Sequence, residues 1–92
     1  MATLRFDTDA GRMTAGTITT TCQNLQSEMT SLSNRINSMV GSEWIGNSAN
    51  QFQSEFQTWS EQLRSCVTNL ETLRQRLERE ITEWEQAAAT LS

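Results

Sequence analysis

Apolar residues recur along most of this chain at alternating intervals of three and four positions, the spacing of one face of an α-helix. The first run consists of Gly11, Ala15, Ile18, Cys22, Leu25, Met29, Leu32, Ile36 and Met39. A heptad rhythm sustained over about four repeats is typical of helices that pack along a narrow seam. It predicts a helix over about residues 8–40, with Thr8 or Asp9 as its N-cap.

A second run with the same rhythm follows. It consists of Ala49, Phe52, Phe56, Trp59, Leu63, Cys66, Leu70, Leu73 and Leu77, and it continues through Ile81, Trp84 and Ala88. This run predicts a second, longer helix over about residues 48–88. Two successive steps of four, from Leu73 to Leu77 to Ile81, indicate a stutter in its seam.

Residues 41–47 separate the two runs and include Gly41 and Gly46. Because glycine tolerates positive φ and commonly ends helices, this stretch is expected to reverse the chain, with Trp44 and Ile45 at the tip. The two helices would then lie antiparallel. A fold that is symmetric about Trp44 would place Leu25 opposite Leu63.

The predicted fold class is all-α: an antiparallel helix-turn-helix hairpin that forms a single domain over residues 1–92. Two helices alone leave one side of their seam in water, and small helical proteins remedy this by associating. Two hairpins are therefore expected to form a four-helix bundle. The residues expected in the hairpin and dimer seam are Leu25, Met29, Leu32, Ile36, Phe52, Phe56, Trp59 and Leu63.

The two cysteines, Cys22 and Cys66, occupy seam positions that the symmetric hairpin places opposite each other. One interpretation is a disulfide that joins the two helices and restricts the unfolded chain. The other is a pair of reduced cysteines that act as small apolar residues in the core. The sequence leaves both interpretations open.

Composition argues against an enzyme. The 92 residues contain no His, so the commonest general base is missing and a Ser, Thr or Cys nucleophile would lack its usual activator. Two cysteines without His leave the usual four-ligand zinc set unfilled, and no glycine-rich phosphate loop occurs. We therefore expect no catalytic residues, no metal and no cofactor.

Charge and hydropathy narrow the class of partner. The net charge of −4 disfavours nucleic acid, whose binding proteins usually carry a basic patch. No run approaches the roughly 20 apolar residues of a membrane span, so stable membrane insertion is not expected. The N-terminus lacks the basic start and apolar run of a signal peptide. A helical protein that acts through protein–protein interaction is the default expectation.

The tripeptide Trp44-Ile45-Gly46 lies between two long amphipathic helices in a chain without Pro. In this arrangement the whole chain resembles the WXG100, or ESAT-6-like, family. The resemblance implies helical hairpins that pair into four-helix bundles, as homodimers or as heterodimers with a related WXG100 protein. It also implies secretion without a cleaved signal peptide by a type VII (ESX) secretion system, whose ATPase would be a further partner. Trp44 and Gly46 are the motif positions.

The family also carries a C-terminal export signal, a Tyr followed four residues later by an acidic residue. This chain contains no Tyr. Ile81 and Glu85 have the required spacing, and Trp84 could supply the aromatic ring. Alternatively, Ile81 and Trp84 are seam residues and Glu85 is a solvated one.

The resemblance favours a secreted, dimeric helical-bundle substrate or co-secreted partner. In an antiparallel dimer, each tip would lie beside the C-terminal segment of the other chain. The missing Tyr keeps an alternative open, an intracellular adaptor or chaperone that pairs with the helical N-terminus of a larger type VII toxin. A structural coiled-coil oligomer, with no role for the tip, is a third hypothesis.

Overall fold

The computed structural model describes the backbone of residues 4–91 and the side chains of residues 4–90. Within this part of the chain, helix α1 spans Thr8–Met39 and helix α2 spans Asn47–Leu91. They form a helical hairpin with extents of 69 × 22 × 18 Å, so the predicted hairpin is confirmed. Helix α2 begins one residue before the predicted start and ends three residues after the predicted end.

At the start of each helix, the residue before the first helical residue accepts a hydrogen bond from a backbone N–H group in the first turn. The N-cap of α1 is Asp7, whose carboxylate accepts a hydrogen bond of 3.0 Å from the Ala10 N–H. The expectation of Thr8 or Asp9 was therefore wrong by one or two residues. At the start of α2, the Gly46 carbonyl accepts a hydrogen bond of 3.2 Å from the Asn50 N–H.

The hairpin buries one regular line of residues on each helix. On α1, burial repeats every seven residues at Ala15, Cys22, Met29 and Ile36. On α2, the buried and half-buried positions are 49, 53, 56, 60, 63, 67, 70, 71, 74, 77, 81 and 84. Apart from 71, these positions advance in steps of four and three, so the predicted stutter is absent from the seam.

Several residues predicted for the seam lie outside it. Leu32 is 44% exposed, Phe52 38%, Trp59 48% and Leu73 54%. On α2, each exposed residue comes directly before a seam position. It is therefore rotated by about 100° around the helix axis, away from α1. The sequence pattern had merged two neighbouring lines of residues into one.

The predicted seam set thus divides into three groups. Met29 and Ile36 are buried between the helices. Leu25, Phe56 and Leu63 are half-buried, and Leu32, Phe52 and Trp59 are exposed.

The cysteines do not face each other. Both are free thiols, Cys22 buried and Cys66 exposed. The Cys22 thiol approaches the Val67 carbonyl oxygen at 3.8 Å, and Val67 is buried where Cys66 was expected. The disulfide hypothesis assumed a register that was wrong by one residue. The alternative, in which both thiols are reduced and buried, is correct for Cys22 and wrong for Cys66, which is reduced but exposed.

The two faces of the hairpin differ in character. One face presents polar side chains from both helices: Gln26, Thr30, Ser33 and Asn37 from α1, and Gln57, Glu61, Arg64 and Thr68 from α2. The other face carries a groove in which Leu25 and Leu32 of α1 meet Trp59 and Leu63 of α2. Helical spacing from this groove gives the apolar set that we call the apolar stripe: Ile18, Leu25, Leu32, Phe52, Phe56, Trp59, Leu63, Cys66, Leu70 and Leu73. Phe56 also lines the depression on the polar face.

One seam residue offers a test of this packing. Ser60 is only 6% exposed, and its hydroxyl has no hydrogen-bond partner among the described residues. Ser60→Ala removes a buried polar group without opening a cavity. We expect it to raise the free energy of unfolding by about 1 kcal/mol in urea titrations.

The matched control is Ser65→Ala, an exposed position five residues further along the same helix. It carries the same gain in helix propensity without the buried hydroxyl. If Ser65→Ala raises the free energy of unfolding as much as Ser60→Ala does, the buried Ser60 hydroxyl does not destabilise the folded protein.

Candidate functional site

Two glycines shape the tip of the hairpin. Gly41 has a φ of +94° and Gly46 a φ of +134°, values that residues with a side chain rarely adopt. Between them, the N–H groups of Glu43 and Trp44 donate to the Met39 carbonyl at 2.9 and 3.0 Å. These bonds satisfy a carbonyl at the end of α1 that would otherwise lack a helical partner. The tip is therefore a tight, hydrogen-bonded reversal with Trp44 at a defined position.

Trp44 packs on its own chain and remains accessible. Its ring lies 5.5 Å from that of Phe52, centroid to centroid, with the planes tilted by 45°. Trp44 is 37% exposed, and its neighbour Ile45 is 78% exposed. Because Phe52 belongs to the apolar stripe, Trp44 extends that stripe to the end of the molecule.

An ion pair attaches the tip to α1. Arg35 donates two hydrogen bonds to the Glu43 carboxylate, at 2.9 and 3.1 Å. These hydrogen bonds and the positive charge of Arg35 lower the pKa of Glu43. The same contact raises the pKa of Arg35. The pair holds the part of the loop that precedes Trp44 against the last turns of α1.

At the opposite end, the N-terminal arm, residues 4–7, packs across the two helices. A Cβ atom at Gly11 would lie 2.9 Å from the Phe6 ring and 3.1 Å from Ile81 Cδ1, so any other residue there would force the Phe6 ring to shift. The Phe6 ring also meets Trp84 edge-on, with centroids 5.8 Å apart and planes at 79°. Ile81 is buried against α1, with 4% exposure.

The other two candidate export residues, Trp84 and Glu85, also form hydrogen bonds within the chain. Arg12 hydrogen-bonds to the Glu85 carboxylate, and its pKa is raised by this bond first and by the charges of Glu85 and Asp9 next. The Trp84 indole N–H donates to Glu80 at 3.0 Å. Glu85 keeps 41% of its side-chain exposure. Trp84 and Glu85 therefore offer accessible atoms, whereas Ile81 offers almost none.

Sequence reasoning missed Phe6 and Arg12 as parts of this cluster. Phe6 lies in an arm without helical periodicity. Arg12 is 73 residues from Glu85 along the chain, so only the register of the hairpin brings them together. The motif residues Trp44 and Gly46 lie at the other end of the 69 Å molecule. One copy therefore cannot join the tip and the C-terminal segment into a single surface.

Two further properties bear on the class of site. Among the residues that the structure describes, no cluster of three or more His, Cys, Asp or Glu could hold a metal ion. Neither of the described helices combines the length and the apolar character needed to cross a membrane.

The Arg35–Glu43 pair predicts how the tip responds to acid. The pKa of Glu43 is below its ordinary value of 4.5, so the carboxylate stays charged in the folded protein to a lower pH. Its stabilising effect is complete above 4.5 and is lost as the pH falls through the lowered pKa. We expect the Trp44 indole N–H resonance to be constant near neutral pH and to shift only below 4.5.

Glu43→Gln should abolish this transition and leave the rest of the spectrum unchanged. A midpoint at or above 4.5 in the unmodified protein would contradict the ion pair as described.

Two comparisons with known proteins give a match. The sequence model of the WXG100 family, described as proteins of 100 residues with WXG, matches residues 3–89. A solved structure similar to this chain is a glycine-to-alanine variant of the secreted protein EsxB from Bacillus anthracis strain Sterne. It has 22% sequence identity and a TM-score of 0.79, and the match covers 92% of this chain and 97% of that one.

At this identity, the likeness to EsxB shows the fold alone. No curated protein matches the chain. The family match extends over both helices and includes Trp44-Ile45-Gly46 in the turn between them. The chain therefore belongs to the WXG100 family of small helical proteins of type VII secretion.

Proposed function

We propose that this protein is exported by a type VII (ESX) system, without a cleaved signal peptide, as one half of a dimeric four-helix bundle. It acts without catalysis, as a secretion substrate or co-secreted partner. The observation that carries the proposal is the exposed apolar stripe, which continues to Trp44 at the tip. Its partner is a second copy of the chain or a related WXG100 protein.

The stripe has the properties of a partner-binding face. Monomeric proteins rarely expose large contiguous apolar patches, and each buried Å² of such surface stabilises a complex by about 25 cal/mol before association costs. Leu32, Trp59 and Leu73 are each about half exposed on this one side of the hairpin. The opposite side is polar. A second hairpin on the apolar side would complete a bundle that keeps the polar faces in water.

The two ends of the hairpin are the proposed recognition elements for the secretion ATPase. Trp44 and Gly46 form one element, and Trp84 with Glu85 forms the accessible part of the other. Ile81 is buried and has a positioning role, because its packing fixes this turn of α2. In an antiparallel dimer, the tip of each copy lies beside the C-terminal segment of the other. The two elements then form one composite surface.

The first test concerns the tip. Trp44→Ala should lower the amount of protein in the culture medium at least ten-fold and leave the helical content and the dimer mass unchanged. The control is Ile45→Ala, which truncates a more exposed apolar residue between the two motif positions. If Ile45→Ala reduces export equally, or if Trp44→Ala has no effect, the tip has no specific recognition role.

The second test concerns the C-terminal segment. Glu85→Gln should reduce export because it removes the carboxylate that replaces the family's acidic signal residue. Arg12→Gln is the matched control, since it breaks the same ion pair but keeps Glu85. Equal export defects in the two variants would assign Glu85 a packing role, and the melting temperatures would show the same loss in both.

A second candidate function is an intracellular adaptor that pairs with the helical N-terminus of a larger type VII toxin. The observation that favours it is the absence of Tyr from the chain, which leaves the family's export signal incomplete. This function predicts that the protein stays in the cytoplasm when expressed without its partner. Export of the protein expressed alone would contradict it.

A further inference from the structure

The last turns of α2 are in contact with the other end of the chain. The Phe6 ring of the N-terminal arm meets Trp84 edge-on, with centroids 5.8 Å apart and planes at 79°. Edge-to-face packing is a favourable arrangement for two aromatic rings. The two residues lie near opposite ends of the sequence, so only the folded hairpin brings their rings together.

The place of the Phe6 ring is set by the glycine at position 11. A Cβ atom on Gly11 would lie 2.9 Å from one ring carbon and 3.0 Å from the next, and Ile81 Cδ1 approaches the same point at 3.1 Å. The backbone beside Phe6 is held as well, because the Asp7 carbonyl accepts a hydrogen bond of 3.0 Å from the Gly11 N–H. The ring therefore occupies space that any side chain at position 11 would fill.

The arm adds to the accessible surface of this end and does not hide it. Phe6 and Trp84 are both half-buried, so each ring keeps solvent-accessible area. Two carboxylates lie beside them: Glu80 accepts a hydrogen bond from the Trp84 indole N–H, and Glu85 keeps 41% of its side-chain exposure. An arm that served as a cover would instead leave Trp84 buried. Accessible aromatic rings are the side chains on which protein interfaces most often depend.

The charge of this end indicates the chemistry of its partner. Residues 80–90 contain Glu80, Glu83 and Glu85 and no basic residue. Residues 4–12 contain two Arg and two Asp, so they do not offset this charge. Because charges across an interface are complementary, a matching site has an apolar pocket for the rings and basic side chains around it.

We propose that Phe6 belongs to the recognition surface at this end, together with Trp84 and Glu85, and that Gly11 positions it. This inference rests on the proposed function, in which the secretion ATPase binds the segment with Trp84 and Glu85. The surface is assembled from both ends of one chain, so neither the arm nor the last turns of α2 form it alone. Its partner site is an apolar pocket bordered by basic side chains.

Gly11→Ala tests this inference, because it displaces the Phe6 ring and leaves the residue in the chain. Export to the culture medium should fall roughly ten-fold, the effect of losing one important aromatic contact at an interface. Phe6→Ala should lower export by the same factor. Helical content and the mass from light scattering should stay unchanged in both variants.

The matched control is Gly16→Ala in the same helix. Both alanines raise helix propensity, but a Cβ atom at Gly16 would meet nothing within 4 Å. We expect normal export of Gly16→Ala. The Trp84 indole N–H resonance should shift in Gly11→Ala and stay in place in Gly16→Ala. Equal export of the two glycine variants would overturn the positioning role of Gly11.

A double variant separates displacement of the ring from any other effect at position 11. With Phe6→Ala already present, Gly11→Ala has no ring to displace, so the double variant should be exported as well as Phe6→Ala alone. A further loss of export in the double variant would show that Gly11 acts by another route and would overturn its role in positioning Phe6.

The basic character of the partner site has a test of its own. Glu83→Arg, at an exposed position in the acidic segment, should lower export roughly ten-fold because it places like charges against each other. The control is Glu61→Arg, the same change at an exposed position of the polar face, which should be exported normally. Equal export of the two variants would overturn the basic partner site.

The unmodified protein separates this inference from the proposed function. Its absence from the medium, or its export by a strain without the secretion ATPase, would overturn the proposed function and the inference with it. Export that requires the ATPase, combined with normal export of Phe6→Ala, would overturn the inference alone. Increased export of Phe6→Ala would also overturn it, because the arm would then act as a cover.

Discussion

Helix α2 carries more apolar side chains than α1 alone can cover, and the rest of the structure follows from this excess. One line of side chains packs into the hairpin seam, and a second line, with Phe52, Trp59 and Leu73, lies one residue earlier at each repeat. A two-helix contact buries a narrow strip on each helix. The second line therefore remains at the surface, and it gives the hairpin one apolar and one polar face.

The two ends of the molecule are held by different means. At the tip, two glycines with positive φ reverse the chain and the Arg35–Glu43 pair fastens the loop to α1. At the open end, the arm covers the seam, with Phe6 against Gly11 and Trp84. Both ends are fixed by contacts within one copy. The two surfaces proposed as recognition elements therefore have a defined shape within a single copy.

The family resemblance and the physical analysis bear on different questions. The WXG100 match identifies the type of protein, and the matched residues include Trp44-Ile45-Gly46. It does not identify a partner for the apolar stripe.

The sequence by itself determined the two helices, the turn between them and the position of the tip, because periodicity and glycine placement are local properties. It also identified Met29 and Ile36 as seam residues. It could not separate Trp59 from Ser60, or Cys66 from Val67, as the residue that faces α1. A shift of one residue rotates a helix by only about 100°, and an apolar band that wide fits either choice.

Only the tertiary structure decided that Ser60 and Val67 are buried and that Trp59 and Cys66 face outward. It also decided that Arg12 meets Glu85 and that Phe6 meets Trp84. These contacts depend on the register between the helices, which is the sum of many packing interactions along their length. No short segment of the sequence contains that information.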